Sequence, residues 1–133
     1  MKPSKISIAL VIAVLAAAAG CPKKSDLSNQ DRLLKRVAGY HDALTWRDWQ
    51  GAAKFVAPES RSEFQAQLQR LDRKYTLDTW VVRDVRPADA AGKVAVVVYR
   101  TFLLSPSVTL QSESVLLTWV LIKREWYLEG PPF

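Results

Sequence analysis

The chain has 133 residues, 19 Lys and Arg against 13 Asp and Glu, a net charge of +6, and one each of Cys, His and Met. That length fits one domain, and a composition 49% apolar and 24% charged with five Trp excludes a disordered chain. One cysteine excludes an internal disulfide framework, and one cysteine with one histidine leaves no ordinary zinc site.

The N-terminus reads as an address. Lys2 and Lys5 form a basic start, and Ile6 to Gly20 carries no charge. The run is shorter than the roughly 20 residues a membrane-spanning helix needs, and its small-residue end fits a cleaved secretory signal. The alternative is an anchor that stays attached. Ala18-Ala19-Gly20-Cys21 resembles the lipobox of bacterial lipoproteins, with Ala18 where leucine is usual. That resemblance implies cleavage before Cys21 and a lipid on its sulfur, each buried methylene contributing about 0.8 kcal/mol to membrane binding. Pro22 follows, so the familiar aspartate retention signal is absent, which favours the outer membrane facing the periplasm. Removing residues 1–20 leaves 133 − 20 = 113 residues and a charge of +6 − 2 = +4. Lys23 and Lys24 lie beside the anchor, within reach of anionic headgroups. No nucleic-acid motif is present, and no cofactor or metal is expected. Residues 22–30 are polar and read as a tether, about 17 Å long if flexible. The expected organisation is therefore signal 1–20, lipidated Cys21 and tether 21–30, and one domain over 31–133.

From Asp31 the pattern is helical. Leu33, Val37, Tyr40 and Leu44 form one stripe, with Ser28 and Asp31 as its start. Thr45 as N-cap and Asp48 in the first turn predict a short second helix carrying Trp46, Trp49, Ala53 and Phe55. Ser60 and Glu63 have capping-box spacing for a third, with Phe64, Leu68, Leu71 and Tyr75 on its stripe. Strands follow over Thr79–Arg86, Lys93–Leu104, Val108–Ile122 and Trp126–Glu129, joined by connections too short for parallel crossovers. The predicted class is α+β: three helices over one face of a curved, cone-like four-stranded antiparallel sheet.

GYHDALTWRDWQGAAKFVAPESR and LLTWVLIKREWYLEG resemble the opening helices and the closing hairpin of the nuclear transport factor 2-like family. The resemblance covers roughly residues 30–130. It implies a fold and not a reaction, because that family contains isomerases, cyclases, dehydratases, transport adaptors and lipoproteins.

A register hypothesis sharpens the site. If Pro106-Ser107 is a two-residue loop, Val98 faces Val115, Val96 faces Leu117, Val94 faces Trp119 and Arg100 faces Glu113. With Arg124-Glu125 as the next loop, Leu121 faces Leu128. The core face then holds Val94, Val96, Val98, Val115, Leu117, Trp119, Leu121, Trp126 and Leu128. Arg100 and Glu113 share it, either as a partly solvated cross-strand pair or as the polar anchor of a ligand pocket walled by Tyr40 and Trp46.

The opposite face carries Val97, Tyr99, Leu103, Leu110, Leu116, Val120, Ile122 and Tyr127. A solvent-facing sheet is normally more polar, so this face reads as an interface, with Val97, Tyr99, Leu116, Val120, Ile122 and Tyr127 as candidates. The resemblance implies a homodimer through it; docking on another envelope protein and cover by the tail Gly130–Phe133 are the alternatives. Catalysis has little support. His41 reads as a surface helix residue, Asp48 as a helix-start acid, and Ser105 and Ser107 as turn residues. Asp84 is the one candidate base. The leading reading is a lipid-anchored, non-catalytic binding or interaction module of the cell envelope. The alternatives are a carrier of a small hydrophobic or anionic ligand, and a small isomerase-like enzyme.

Overall fold

The computed structural model describes residues 24–88 and 91–129. Cys21, the signal segment and the tail from Gly130 lie outside the described residues. The chain divides into two compact units, Met1–Arg32 and Leu33–Phe133. Of the first, the helical stretch from Lys24 to Arg32 is described. Residues 24–30 are therefore helix rather than flexible tether, which corrects the expectation.

Helix α1 runs Lys24–Thr45, α2 Trp49–Ala53 and α3 Arg61–Leu71, the last preceded by a 3-10 turn at Pro58–Ser60. The strands are β1 Tyr75–Pro87, β2 Lys93–Leu104, β3 Gln111–Ile122 and β4 Glu125–Glu129, in the antiparallel order β1-β2-β3-β4. Three helices and a four-stranded meander are thus as expected, with altered ends. Asp48, not Thr45, caps α2: its Oδ1 accepts from Gly51 N at 2.9 Å, while the Thr45 hydroxyl donates back to His41 O. Ser60 precedes α3 without a side-chain cap bond. Tyr75 begins β1 instead of ending α3, because Asp72-Arg73-Lys74 turns the chain, with Lys74 N on Leu71 O.

The β2–β3 register is the expected one: Val94↔Trp119, Val96↔Leu117, Val98↔Val115 and Arg100↔Glu113. The connection is wider than two residues, since β2 ends at Leu104 and β3 begins at Gln111, so Val108 and Leu110 lie outside the sheet. The last hairpin differs from the expectation by two residues: Leu121 pairs with Trp126 and Trp119 with Leu128. Its loop is Lys123-Arg124, both at positive φ (50° and 69°), the backbone that suits a two-residue turn to strand twist. A slip of two preserves the alternation, so every face assignment in that hairpin survives.

Leu33, Val37, Tyr40 and Leu44 of α1, with Phe64 and Leu68 of α3, are buried in one core with Val96, Val98, Leu117, Trp119, Trp126 and Leu128. The β4 edge is closed by the segment after α2. Ala57 N donates to Leu128 O at 2.9 Å and Leu128 N to Phe55 O at 2.7 Å, so this edge is not an open template. Arg36 completes the seam: its Nε donates to Trp126 O at 2.9 Å and its guanidinium lies over Phe55 and Tyr127.

Candidate functional site

The helix-covered face of the sheet holds a polar and aromatic cluster. Arg100 is wholly buried, and its Nη2 donates to Glu113 Oε1 at 3.2 Å. Glu113 is 38% exposed, so the pair runs from the interior to the rim. Tyr40 packs edge-on to Trp119 and to His41, with ring centroids 6.0 and 5.0 Å apart. Trp80, opposite Arg100 on β1, stacks on His41 at 5.0 Å, and Tyr75 stacks on Phe102 at 5.0 Å.

Burial governs the titration of this cluster. Desolvation raises the Tyr40 phenol above the usual tyrosine range, partly offset by the Arg100 charge. Tyr75 is pushed up to about 12, again mainly by burial with Arg100 opposing. His41 is lowered to about 4, chiefly by burial, with the Val37 carbonyl opposing and the Arg100 charge adding to the fall. A carbonyl only accepts, so in the 2.8 Å contact with Val37 O the His41 Nδ1 carries the proton. His41 is a neutral imidazole at physiological pH, with Nε2 as an acceptor. That nitrogen, Tyr40 Oη and Trp119 Nε1 are buried and have no hydrogen-bond partner among the described residues.

The sequence-derived candidates are divided by the fold. Arg100, Glu113 and Tyr40 meet. Trp46 does not join them: it follows the end of α1 on a turn where Arg47 has φ +58°, and it is 83% exposed, so it is no pocket wall. His41 is buried instead of exposed, a further correction, because it falls eight residues after Leu33 on a broadened apolar stripe. Asp84 is likewise corrected. Bulges between Leu77 and Thr79 and between Val82 and Asp84 reset the alternation of β1, so Val85 faces inward and Asp84 outward. There it is half-exposed, accepts from Arg86 Nε at 2.5 Å and Val85 N at 2.9 Å, and is held below the usual carboxylate range, first by Arg86. A carboxylate so placed is no interior base. Tyr75, Trp80 and Trp119 were not read as site residues. For Trp119 the signal is present in the register and for Trp80 in the alternation after Thr79, while Tyr75 is masked by its place on the expected third-helix stripe.

On the outer face, Leu116 is 57% and Val81 48% exposed, with Val97, Val120 and Ile122 half-buried beside them. Tyr99 lies under the Arg83 guanidinium at 4.6 Å and Tyr127 under Arg36 at 5.1 Å, so cations cover two of the expected interface aromatics. A groove of about 390 Å³ continues this face, between Ala57–Ser60 and Val120, Ile122, Lys93 and Glu129. Among the described residues no three His, Cys, Asp or Glu side chains converge as a metal site, and no helix is long and apolar enough to cross a membrane.

No family model and no curated protein matches the chain. Solved structures do match. A ketosteroid isomerase-like protein from Erwinia carotovora atroseptica superposes with a TM-score of 0.58 at 9% identity, covering 76% of this chain and 92% of that one. An NTF-2 like protein of unknown function from Shewanella oneidensis gives 0.57 at 10%, covering 77% and 98%. A SEC-C motif containing protein from Rhodopseudomonas palustris gives 0.56 at 14%, covering 68% and 69%. The fold is nuclear transport factor 2-like. At these identities the likeness concerns the fold alone, and the chemistry of this nuclear transport factor 2-like domain rests on its own residues. Among the described residues its interior carries a buried guanidinium, a rim carboxylate, two buried phenols and a neutral imidazole.

Proposed function

We propose that this protein is a lipid-anchored, non-catalytic interaction module of the bacterial cell envelope, held by a lipid on Cys21 and docking a second copy of itself through the outer sheet face. The observation that carries the reading is the contrast between the two faces. On the helix-covered face Tyr40, His41, Arg100 and Trp119 are all wholly buried, while the outer face leaves Leu116 and Val81 about half-exposed to water. Apolar surface gathered on one sheet face is the usual mark of an association surface. The test is made on the full chain produced in a bacterium that processes lipoproteins. Mass spectrometry of the N-terminal peptide reads a diacylated or triacylated Cys21, lost in Cys21→Ala. Sedimentation in detergent reads a dimer, reduced to monomer by Leu116→Arg with thermal stability unchanged. An unmodified Cys21, or a monomer before substitution, sinks the corresponding half of the reading.

A second reading is supported by one specific observation. Tyr40 Oη, His41 Nε2 and Trp119 Nε1 are buried polar atoms without a partner among the described residues, and the first two residues feel the Arg100 charge. The Tyr40 and Trp119 donors with the Arg100 guanidinium suit the carboxylate of a small ligand carried in the interior, and the His41 acceptor suits a hydroxyl on the same ligand. Native mass spectrometry of the purified protein tests it: a retained adduct lost in Trp119→Phe supports a carrier, and the bare chain mass opposes it.

A further inference from the structure

We infer that the groove between α2 and α3 is a binding site for a neutral oligosaccharide. Its walls are Trp49 and Gln50 from α2 and Gln65 and Gln69 from α3, around a volume of about 270 Å³. None of the four is charged. Gln65 and Gln69 are one turn apart and so lie on the same side of α3. Among the described residues no protein hydrogen bond engages the three amides.

The residue types select the ligand. A sugar ring presents hydroxyls that both donate and accept around its edge and a patch of C–H groups on its face. A glutamine amide offers two donors and an acceptor oxygen, so it pairs with such hydroxyls in either sense. An indole offers a flat surface with a negative face, to which polarised C–H groups are attracted. Trp49 is held in place for this. Its Nε1 donates to Asp72 Oδ1 at 2.5 Å, the same oxygen that accepts from Arg47 Nη2 at 3.2 Å. The indole's single polar atom is therefore used internally, and a fixed ring loses little freedom on binding.

Other ligand classes fit less well. A charged ligand finds no charged side chain among the four lining residues, and the Asp72 and Arg47 charges beside Trp49 pair with each other. A purely apolar one would cover three amides without replacing their hydrogen bonds to water. A peptide would need further apolar pockets for its anchoring side chains, and one indole is the only aromatic or aliphatic wall.

The test is a nuclear magnetic resonance titration of the full chain in a zwitterionic detergent, which carries no sugar headgroup. The probes are the hexamer of N-acetylglucosamine, maltohexaose and a proline-rich decapeptide. The expected result is a saturable shift, with at least one of the two sugars, of the Trp49 indole and the Gln65 and Gln69 side-chain amide signals. The double variant Gln65→Leu, Gln69→Leu removes two exposed amides and should weaken binding by roughly tenfold or more, since their hydrogen bonds to the sugar are lost. Its unfolding temperature should stay that of the parent, which separates lost binding from lost fold. No shift with either sugar at millimolar concentration, shifts confined to other residues, affinity unchanged in the double variant, or saturation by the peptide alone would each overturn the assignment.

Discussion

His41 is the only histidine in the chain, which makes its burial measurable as a pH dependence. In the folded protein it titrates at about 4, against an ordinary value of 6.5, mainly because burial disfavours the imidazolium. Below pH 6.5 the unfolded chain binds a proton that the folded chain refuses until about pH 4. Stability therefore falls with pH across that window and is fully present above it. At pH 5 the loss is about 2 kcal/mol, and below pH 4 it approaches roughly 3 kcal/mol. Urea titrations followed by tryptophan fluorescence should show a midpoint lower by roughly 1 M at pH 5.0 than at pH 7.5. Carboxylates contribute to any acid effect, so the decisive comparison is with His41→Phe, which keeps a ring against Trp80 and cannot titrate. Whatever its own stability, the variant should lose most of the pH response. Equal responses in parent and variant would refute the argument that His41 is buried neutral.

Four further variants test the packing by the same titration. Glu113→Ala removes the rim carboxylate from the buried Arg100 guanidinium and should cost about 1–2 kcal/mol, reduced by water at the rim, whereas Arg100→Met removes the charge, refills the space and should cost under about 1 kcal/mol. Lys123→Asn with Arg124→Gly relieves two positive-φ positions and should stabilise by about 1 kcal/mol, read as a higher urea midpoint. Gly39→Ala would ordinarily gain about 1 kcal/mol in a helix, yet its Cβ would lie 2.6 Å from Phe55 Cζ, on a ring held under Arg36. Net destabilisation is expected, and a raised midpoint would show that Phe55 moves aside freely.

What the sequence revealed depended on parity. Alternation in β2 and β3 is unbroken, so one assumption about a turn placed Arg100 opposite Glu113 and both on the core face, although the loop itself is longer than assumed. The last hairpin was two residues out and still correct in its faces, because the side-chain period of a strand is two. β1 failed by the same rule, since each bulge inserts one residue and reverses the alternation beyond it. No local signal in Asp78 or Arg83 marks them as bulge positions, and Asp84 was consequently placed inside. His41 was different: its helical offset from Leu33 was visible, and its polarity outweighed that offset in the reading.

Arg100 is where the stability and functional arguments meet. A fully buried guanidinium is costly to desolvate, and an ion pair reaching the solvent rim recovers little of that cost. If Arg100→Met leaves stability unchanged, folding gives no reason for the charge. The reason must then lie in what the guanidinium does among Tyr40, His41 and Trp119, which supports an interior ligand. If instead Arg100→Met unfolds the domain, the guanidinium is a structural tie between β2, β3 and the interior phenols. The outer sheet face and the α2–α3 groove are then where binding is to be sought.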